Sequence, residues 1–345
     1  MKIGYFHGGR DVPSVRFRMP LFRLLENRGH DCGYFSSHPS RYSRHPLLGW
    51  RAGKLLRYAN RMRDIEKLKR SDYDCVVLET ELFHTANGTL EGSIRKHSKR
   101  LVYDIDDAVF LLFPAKIREF AATADHVIVA NTRLAEWASQ YTSNISIIPT
   151  CIDLEVYAPK SEVSSSGDGP TVIGWVGSPS NLCMLEHCAE ALRVIAREHP
   201  LEFRVISSNH APLQKIDFSG VKVHRIDIDA CDLIDELHRL DVGVMPLPAS
   251  DRWSWYKCNA KMIQYMAVGL AAIGSDVGFN RELVRHGQNG MLAANKDEWI
   301  ECLRSLIRSP EQRQAIGKQA RETIESRFTV QRRIDEYERA ILGTF

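Results

Sequence analysis

The stretch from residue 256 to residue 284 reads YKCNAKMIQYMAVGLAAIGSDVGFNRELV, and its pattern indicates the type of fold. We expect a helix to begin near Asn259 and to run through Ala267, with Gly269 ending it. The apolar run at 270–275 then predicts a buried strand, which the loop SDVGFN follows. A helix followed by a buried strand is the repeating unit of α/β domains with parallel sheets.

The same alternation extends over the whole chain. In the first half, strands are predicted at 2–6, 74–79, 100–105, 126–130 and 145–149, with helices at 13–27 and 131–141. In the second half, strands are predicted at 171–176, 203–207, 221–226, 241–247, 270–275 and 290–294, with helices near 182–198, 230–239, 257–267, 296–308 and 311–342. The fold class is therefore α/β, with two Rossmann-like, doubly wound parallel-sheet domains facing a central cleft.

The boundary between the two domains is expected in a segment with little that could pack. Residues 158–170 read APKSEVSSSGDGP, a composition typical of a linker. We expect a first domain over 1–155 and a second over 156–327. The last helical stretch breaks near Phe328-Thr329, and residues 328–345 are expected to pack back on the first domain.

Length and composition exclude several classes of protein. The chain has 345 residues, of which 44% are hydrophobic and 26% are charged, and these values exclude disorder, a collagen-like chain and a small disulfide scaffold. No apolar run reaches the 18 residues of a membrane-spanning helix, and the apolar start of the chain is too short for a signal-peptide core. The eight cysteines are scattered without a CxxC pair, so we expect reduced thiols in a cytoplasmic protein and no metal site.

Positive charge is concentrated in the first hundred residues, which carry 20 Lys and Arg against 10 Asp and Glu. Residues 41–70 alone hold ten basic and two acidic residues. This segment is either a solvated helix face or a surface for an anionic partner. Apolar side chains lie beside the charges and favour an anionic membrane surface, namely Leu47, Leu48, Trp50, Leu55, Leu56 and Tyr58. Nucleic acid is not expected, because no recognition motif accompanies the segment.

The start of the helix near Asn259 is a candidate anion site. The first backbone N–H groups of a helix have no partner within it, and the helix dipole favours negative charge there. Lys257 and Lys261 are four residues apart around this point, so both ammonium groups are expected to converge on a pair of phosphates. Ser275, Gly278 and Asn280 bring further donors from the following loop. The alternative is an ordinary helix–strand unit with two surface lysines.

The segment QYMAVGLAAIGSDVGFNRELV resembles the second half of the signature of retaining glycosyltransferases of family 4, the "group 1" transferases, which have the GT-B fold. Other segments resemble the same family in the same order along the chain, namely ISIIPTCIDLEVYAP, VIGWVGSPSN, LHRLDVGVMPL and HGQNGMLAA. The resemblance covers most of residues 100–330. It implies a nucleoside diphosphate sugar as the donor substrate, no cofactor and no catalytic metal.

The resemblance also implies which residues bind the donor. They are Gly177, Ser178, Arg225, Ile226, Tyr256, Cys258, Asn259, Ala260, Gln264, Ser275, Gly278, Asn280 and Glu282. Three positions depart from the family pattern. Gln264 stands where the family has the Glu that holds the ribose hydroxyls, and Tyr256 stands where it has the Glu that contacts the donor sugar. The loop after the strand at 171–176 lacks the usual basic residue, so Lys257 and Lys261 are expected to supply that charge.

The first half offers an acidic cluster, Asp104, Asp106 and Asp107, at the end of a strand. It has four readings: a metal-binding DxD, the DxD pair of haloacid-dehalogenase-type phosphohydrolases, carboxylates that hydrogen-bond sugar hydroxyls, or carboxylates that cap the next helix. The third follows from the family resemblance and is favoured. Acceptor-binding candidates are Gly9, Arg16, Arg18, His84 and Asp107, and the two arginines are expected on different sides of one helix.

These patterns lead to one functional expectation with two alternatives. The expected protein is a cytoplasmic hexosyltransferase, peripheral on the inner face of the membrane, that moves a sugar to a glycan or lipid-linked acceptor with retention. Lys261, Lys257 and Asp106 are the expected catalytic residues. The alternatives are a non-catalytic subunit that binds nucleotide sugar, and a nucleotide-sugar epimerase or hydrolase on the same fold.

Overall fold

The structure is a computed structural model that describes residues 1–9, 12–40, 49–160 and 169–344. Two compact units account for these residues. The first contains Met1–Cys151, Tyr256–Cys258 and Val330–Phe345, and the second contains Ile152–Trp255 and Asn259–Thr329. The chain therefore passes between the units four times and not through one linker. Residues 161–168 of the expected linker lie outside the described residues.

The first unit is built on a six-stranded parallel sheet in the order β2-β1-β3-β4-β5-β6. The strands are β1 (Lys2–His7), β2 (Asp31–Ser36), β3 (Cys75–Glu79), β4 (Leu101–Ile105), β5 (His126–Val129) and β6 (Ile145–Ile147). The helices between them are α1 (Pro13–Asn27), α2 (Gly49–Lys69), α3 (Thr89–His97), α4 (Pro114–Thr123) and α5 (Thr132–Ala138). The inner strands β3, β4 and β5 are buried throughout, as expected for parallel strands covered on both faces.

The second unit contains a six-stranded parallel sheet in the order β12-β11-β10-β7-β8-β9. Its strands are β7 (Thr171–Val176), β8 (Leu201–Ser207), β9 (Lys222–Asp227), β10 (Val242–Met245), β11 (Ala271–Ser275) and β12 (Met291–Ala293). Its helices are α6 (Glu186–Glu198), α7 (Leu233–His238), α8 (Ala260–Ala267), α9 (Asn280–Leu283), α10 (Lys296–Arg308) and α11 (Pro310–Arg327). The core lies mainly between the sheet, α6 and α10.

The final helix, α12 (Val330–Leu342), packs on the first unit. Its apolar face, which includes Ile334 and Tyr337, joins the core formed by Ile3, Tyr5 and Phe22. On its exposed side Arg28 pairs with Asp335 and Glu338. The break before this helix falls at Phe328 and Thr329, where the sequence predicts it.

The α/β fold with two doubly wound parallel sheets is confirmed, and the differences are local. No strand is predicted at β2, because this edge strand is only half-buried and contains Gly33. Residues 179–185 form a 3-10 helix, so the helix expected from residue 182 begins at Glu186. The helix expected to begin near Asn259 begins at Ala260. Among the described residues, none of the helices has both the length and the hydropathy that a membrane-spanning segment needs.

Candidate functional site

The start of α8 is a preorganised corner of the second unit. Asn259 precedes the helix in the left-handed conformation, with φ 51° and ψ 40°, and its side chain does not cap the helix. Instead its Nδ2 donates to Asn280 Oδ1 at 2.8 Å, and Asn280 Nδ2 donates to the Ser275 carbonyl at 2.8 Å. Asn259 is 2% exposed, and its Oδ1 has no hydrogen-bond partner among the described residues. The first amides of α8 are therefore not capped by this side chain.

Lys261 lies on the first turn of α8 and reaches the end of β7. Its Nζ is 5.3 Å from the centre of the Trp175 ring. Gly177 makes this path possible, because a Cβ on Gly177 would lie 2.6 Å from Lys261 Cε and 2.7 Å from Trp175 Cη2. The glycine after β7 thus leaves room for the lysine at the carboxyl end of the sheet, where parallel sheets bind ligands.

The end of β11 and the loop that follows it hold the start of α8 in place. Ser275 is buried, and its Oγ accepts a hydrogen bond from the Leu247 amide at 2.8 Å. Gly278 has φ 55°, and a Cβ there would lie 2.8 Å from the carbonyl oxygens of Ser254 and Trp255. The geometry therefore gives Ser275, Gly278 and the fully buried Asn280 a positioning role, which differs from the expectation that they bring free donors to a ligand.

Gln264 is also engaged inside the second unit. It is 5% exposed, and its Nε2 donates to the Tyr157 hydroxyl at 2.8 Å. Arg321 reaches the same place, since its Nη1 donates to the Tyr157 carbonyl at 2.6 Å. Gln264 stands where the resembled family has a ribose-binding Glu. The side-chain amide of Gln264 is oriented by Tyr157, a residue that is not among the candidates predicted from the sequence.

The other expected donor residues of the second unit lie in three places. Ser178 accepts a hydrogen bond from Asn181 Nδ2 at 3.0 Å in the 3-10 turn after β7. Arg225 is exposed on β9, the edge strand, with Ile226 beside it and paired to β8. Ala260 opens α8, and Glu282 is half-buried on α9.

Residues 256–258 belong to the first unit, which corrects their assignment to the second domain. Asn131 Nδ2 donates to the Tyr256 carbonyl at 2.9 Å and to the Lys257 carbonyl at 3.3 Å. The Tyr256 ring packs edge-on against Phe110, with 5.0 Å between ring centres. Lys257 Nζ lies 3.9 Å from Asp107 Oδ2, and Lys261 belongs to the other unit. Since Lys257 precedes α8 by three residues, the helical spacing expected between the two lysines does not apply.

Burial raises the pKa of Cys258 to about 11, and the charges of Asp106 and Asp107 add to the rise. Its thiol is accordingly a neutral group that packs on the first unit. We therefore assign Cys258 no charge-based role at the donor.

The acidic cluster at the end of β4 divides into a structural and an accessible part. Asp104 is fully buried and forms a bidentate ion pair with Arg18, whose Nε lies 2.9 Å from Oδ2 and Nη2 lies 3.0 Å from Oδ1. Arg18 also donates to the carbonyls of Ile148 and Pro149 at 2.8 and 3.0 Å. Burial raises the pKa of Asp104 to about 6, and the positive charge of Arg18 opposes that rise.

The prediction that Arg18 binds the acceptor is therefore wrong, because its side chain is buried in the core. Arg18 is 3% exposed, and four of its N–H groups are used by the core. The expectation that Arg16 and Arg18 face different sides of α1 is confirmed, since Arg16 is exposed. Arg16 remains the candidate for an anionic acceptor.

Two buried residues beside the cluster were not singled out from the sequence. Glu79 ends β3, is 3% exposed and accepts a short hydrogen bond from the Tyr5 hydroxyl. Burial raises the pKa of Glu79 to about 8, and the negative charge of Asp106 adds to the rise. The Glu79 carboxyl is therefore mostly protonated at pH 7. The signal was present in the sequence, because VVLE places an acidic residue at the end of a fully apolar strand.

Thr80 is the second such residue, and its backbone is strained. Its φ is 59°, a conformation that β-branched residues rarely adopt. Three contacts hold it: its amide donates to the Asp104 carbonyl at 2.8 Å, its carbonyl accepts from the Tyr103 hydroxyl at 2.6 Å, and its Oγ1 donates to Asp106 Oδ1 at 3.2 Å. The half-buried Asp106 carboxylate is thus held in one orientation. Strain of this kind is common at functional sites.

Two further acceptor candidates lie near this edge of the first sheet. Gly9 is buried with φ 127°, and a Cβ there would lie 2.7 Å from Ser40. His84 is about half exposed, its Nδ1 lies 2.8 Å from Glu81 Oε1, and its ring packs on Phe113. Within the described residues, no three His, Cys, Asp or Glu side chains are grouped so that they could hold a metal ion.

Comparison with known proteins finds similarity to glycosyltransferases in the second half of the chain. Residues 170–309 match the family described as "Glycosyl transferases group 1". Spore coat protein SA of Bacillus subtilis is 37% identical over 70 residues, which span 19% of this chain and 19% of that protein.

Solved structures resemble the whole chain. Sucrose-phosphate synthase from Thermosynechococcus elongatus has a TM-score of 0.73 and 14% identity, with both chains covered completely. Anabaena HepE in complex with UDP and glucose has a TM-score of 0.68 and 16% identity, again over the full length of both chains. At such identities the likeness establishes the fold. The fold of this chain is thus the GT-B fold, and residues 170–309, most of its second unit, match the group 1 transferase family over about two-fifths of the chain.

Proposed function

We propose that the protein is a retaining, metal-independent glycosyltransferase of family 4 that moves a hexosyl group from a nucleoside diphosphate sugar to a glycan acceptor. One observation carries the proposal: the start of α8 combines uncapped amides with Lys261 at the end of β7, inside the segment that matches the transferase family. A diphosphate is the ligand that suits amides and an ammonium group at a helix start.

In the proposed reaction the bond between the anomeric carbon and the diphosphate oxygen breaks. The acceptor hydroxyl forms its new bond to the same face of that carbon, and its proton passes to the departing diphosphate. Lys261 and the α8 amides stabilise the negative charge that develops on the diphosphate. Fixed charges of this kind lower the barrier without reorganising during the reaction, and removing one donor typically costs about 10²–10³ in kcat. Gln264 and Tyr157 are the proposed partners of the ribose.

We assign the acceptor to the first unit. Asp106, oriented by Thr80, is the proposed hydrogen-bond acceptor for a sugar hydroxyl. Lys257 is held near Asp107 and supplies a second cation on that unit. Arg16, Gly9 and His84 are the proposed contacts for the remainder of the acceptor.

UDP-glucose is the first donor to test, because HepE, a protein of the same fold, has been solved with UDP and glucose. A thermal-shift screen with UDP-, GDP-, ADP- and dTDP-sugars identifies the cognate donor, since a ligand that binds only the folded state stabilises it by mass action. NMR of the product then shows whether an α-linked donor gives an α-glycoside, as retention requires.

Lys261→Ala should lower kcat by about 10²–10³-fold. Lys222→Ala is the matched control, because Lys222 lies on the edge strand β9 and pairs with Glu202. A β-linked product contradicts retention. Full turnover by Lys261→Ala contradicts the proposed diphosphate site.

Two other functions fit the same fold and are separated by product analysis. A nucleotide-sugar hydrolase or epimerase consumes the donor without an acceptor. A non-catalytic subunit binds the donor without turnover, even with a crude glycan extract. The replacement of the family's two Glu residues by Tyr256 and Gln264 is the observation that favours the subunit.

We also propose a cytoplasmic location with the acceptor, a lipid-linked or surface glycan, held at the membrane. The basic character of residues 41–70 supports this proposal. Residues 41–48 of that segment lie outside the described residues, so the structural argument rests on α2.

A further inference from the structure

The middle of helix α2, over residues 55–62, departs from the usual distribution of side chains. Its face toward the first unit contains two arginines, of which Arg57 is 8% exposed and Arg61 is completely buried. Its outer face presents large apolar side chains, with Leu55 72% and Leu56 48% exposed. A surface helix ordinarily buries its apolar stripe and exposes its charges.

The terminal nitrogens of Arg61 are bonded within the fold. Arg61 Nη1 donates to the Phe35 carbonyl at 2.8 Å and contacts Asp64 at 3.2 Å, and its Nη2 donates to the His7 carbonyl. Ile65 and Leu68 complete the buried face. Tyr58 on the outer face also packs edge-on against Phe83, with 5.5 Å between ring centres. Tyr58 is nevertheless 44% exposed, and Leu55 is 72% exposed, so a large part of the outer apolar surface is not used in this packing.

The outer apolar residues form a continuous stripe. Leu55, Tyr58 and Met62 follow the spacing i, i+3, i+7, which places them on one side of the helix. Tyr58 and Met62 are 44% and 41% exposed. Of the nine large hydrophobic residues that are exposed in the described part of the chain, four lie between residues 55 and 62. Such clustering marks an interaction surface, since single exposed apolar residues are otherwise scattered.

The charges around the stripe indicate what covers it. The exposed charged residues of α2 are Arg51, Lys54, Arg63, Lys67 and Lys69, together with a single acid, Glu66, which pairs with Lys69. An apolar stripe flanked by cations suits a helix that lies in the interface of a bilayer with anionic headgroups. At 21 residues α2 is about 32 Å long, enough to rest along the surface over its whole length.

We propose that the outer face of α2 docks the first unit on an anionic bilayer, with Leu55, Tyr58 and Met62 inserted at the headgroup boundary and the flanking cations on the headgroups. This deepens the proposed function, because it gives a membrane-held acceptor a defined surface beside it. The docking itself needs no turnover, so its test is independent of donor chemistry.

The test is co-sedimentation of the full chain with vesicles. Vesicles of phosphatidylcholine containing one-third phosphatidylglycerol should pellet the protein, and vesicles of phosphatidylcholine alone should pellet at least tenfold less. Raising NaCl from about 50 to about 500 mM should weaken binding, because salt screens the headgroup charges. A triple variant, Leu55→Ser, Tyr58→Ser and Met62→Ser, should lower the partition coefficient by at least tenfold. Lys54→Gln with Arg63→Gln should lower it about fivefold for each cation removed.

Matched controls separate docking from nonspecific effects. Ile147→Ser and Val156→Ser remove exposed apolar side chains elsewhere and should leave pelleting unchanged. Circular dichroism should show all variants folded; if the triple variant is not, the charge variant alone decides the question. Equal pelleting with both lipids, or by the triple variant and wild type, overturns the proposal. So does a wild-type dimer in gel filtration that the triple variant converts to a monomer, since the stripe would then be a contact between two copies.

Discussion

Replacing Gly177 with alanine tests the geometry on which the proposed donor site depends. The new Cβ would lie 2.6 Å from Lys261 Cε, whereas 3.4 Å is the start of ordinary contact. The lysine must therefore move by about 0.8 Å or leave its place over Trp175. A misplacement of about 1 Å in a group that stabilises developing charge can cost about 10²-fold in rate. We expect kcat to fall about a hundredfold.

The same substitution has a separate and smaller effect on stability. The Cβ also lies 2.7 Å from Trp175, which is 1% exposed and cannot swing aside. Overpacking of this kind costs about 1–3 kcal/mol, less than the about 5–15 kcal/mol that keeps a typical protein folded. The variant should therefore be folded at 25 °C, and the loss of kcat should not reflect unfolding.

The assay is steady-state turnover of the cognate donor, with thermal unfolding of each variant measured in parallel. Gly92→Ala on α3 is the control, because its added Cβ meets nothing within 4 Å. In a Lys261→Met background, Gly177→Ala should cause no further loss of kcat, since its target has already been removed. If Gly177→Ala keeps a kcat within threefold of wild type, or lowers kcat equally in both backgrounds, the link between Gly177 and Lys261 is refuted.

Three further predictions concern the first unit. Since burial and Asp106 raise the folded-state pKa of Glu79 from 4.5 to about 8, its contribution to stability is complete below about pH 4.5 and declines up to about pH 8. Glu79→Gln should remove at most about 5 kcal/mol of that decline. Urea unfolding at acid and alkaline pH measures it, and the prediction is contradicted if the free energy of unfolding changes equally with pH in both proteins. Thr80→Gly should relieve about 1–2 kcal/mol of backbone strain and so keep stability near wild type. Its kcat should fall, because Asp106 loses the hydrogen bond from Thr80 Oγ1. If kcat is unchanged in Thr80→Gly but lowered in Asp106→Asn, the contact between the two side chains is not used. Arg18→Met should destabilise the protein by about 3–5 kcal/mol because it leaves Asp104 buried and unpaired, whereas Arg16→Met on the exposed side should change urea unfolding very little.

Local patterns were sufficient for most of the secondary structure. The buried strands β3, β4 and β5 appear in the sequence as short apolar runs, and α1 and α10 were predicted with their observed bounds. These elements are visible because burial on both faces requires an apolar side chain at nearly every position of a strand. The edge strand β2 lacks such a run, and it was therefore not predicted.

Local spacing was not sufficient at residues 256–258. Lys257 and Lys261 are four residues apart, and a continuous helix would have placed them on one face. The left-handed Asn259 separates them, and Asn131, more than 120 residues earlier, ties the preceding segment to the first unit. The sequence contains no local signal for such a tie, because it depends on which distant groups meet.

The sequence by itself determined the two α/β halves and the resemblance of the second half to the group 1 transferases, since both follow from apolar runs and from motif residues close together in the chain. Only the tertiary structure decided which charged and polar groups are buried. Arg18 and Arg16 look alike in the sequence, but Arg18 pairs with Asp104, 86 residues away, and Arg16 is exposed. Gln264 similarly meets Tyr157 across 107 residues. A buried charge or amide is tolerated only where a partner compensates its desolvation, and such partners are brought together by the packing of separate elements.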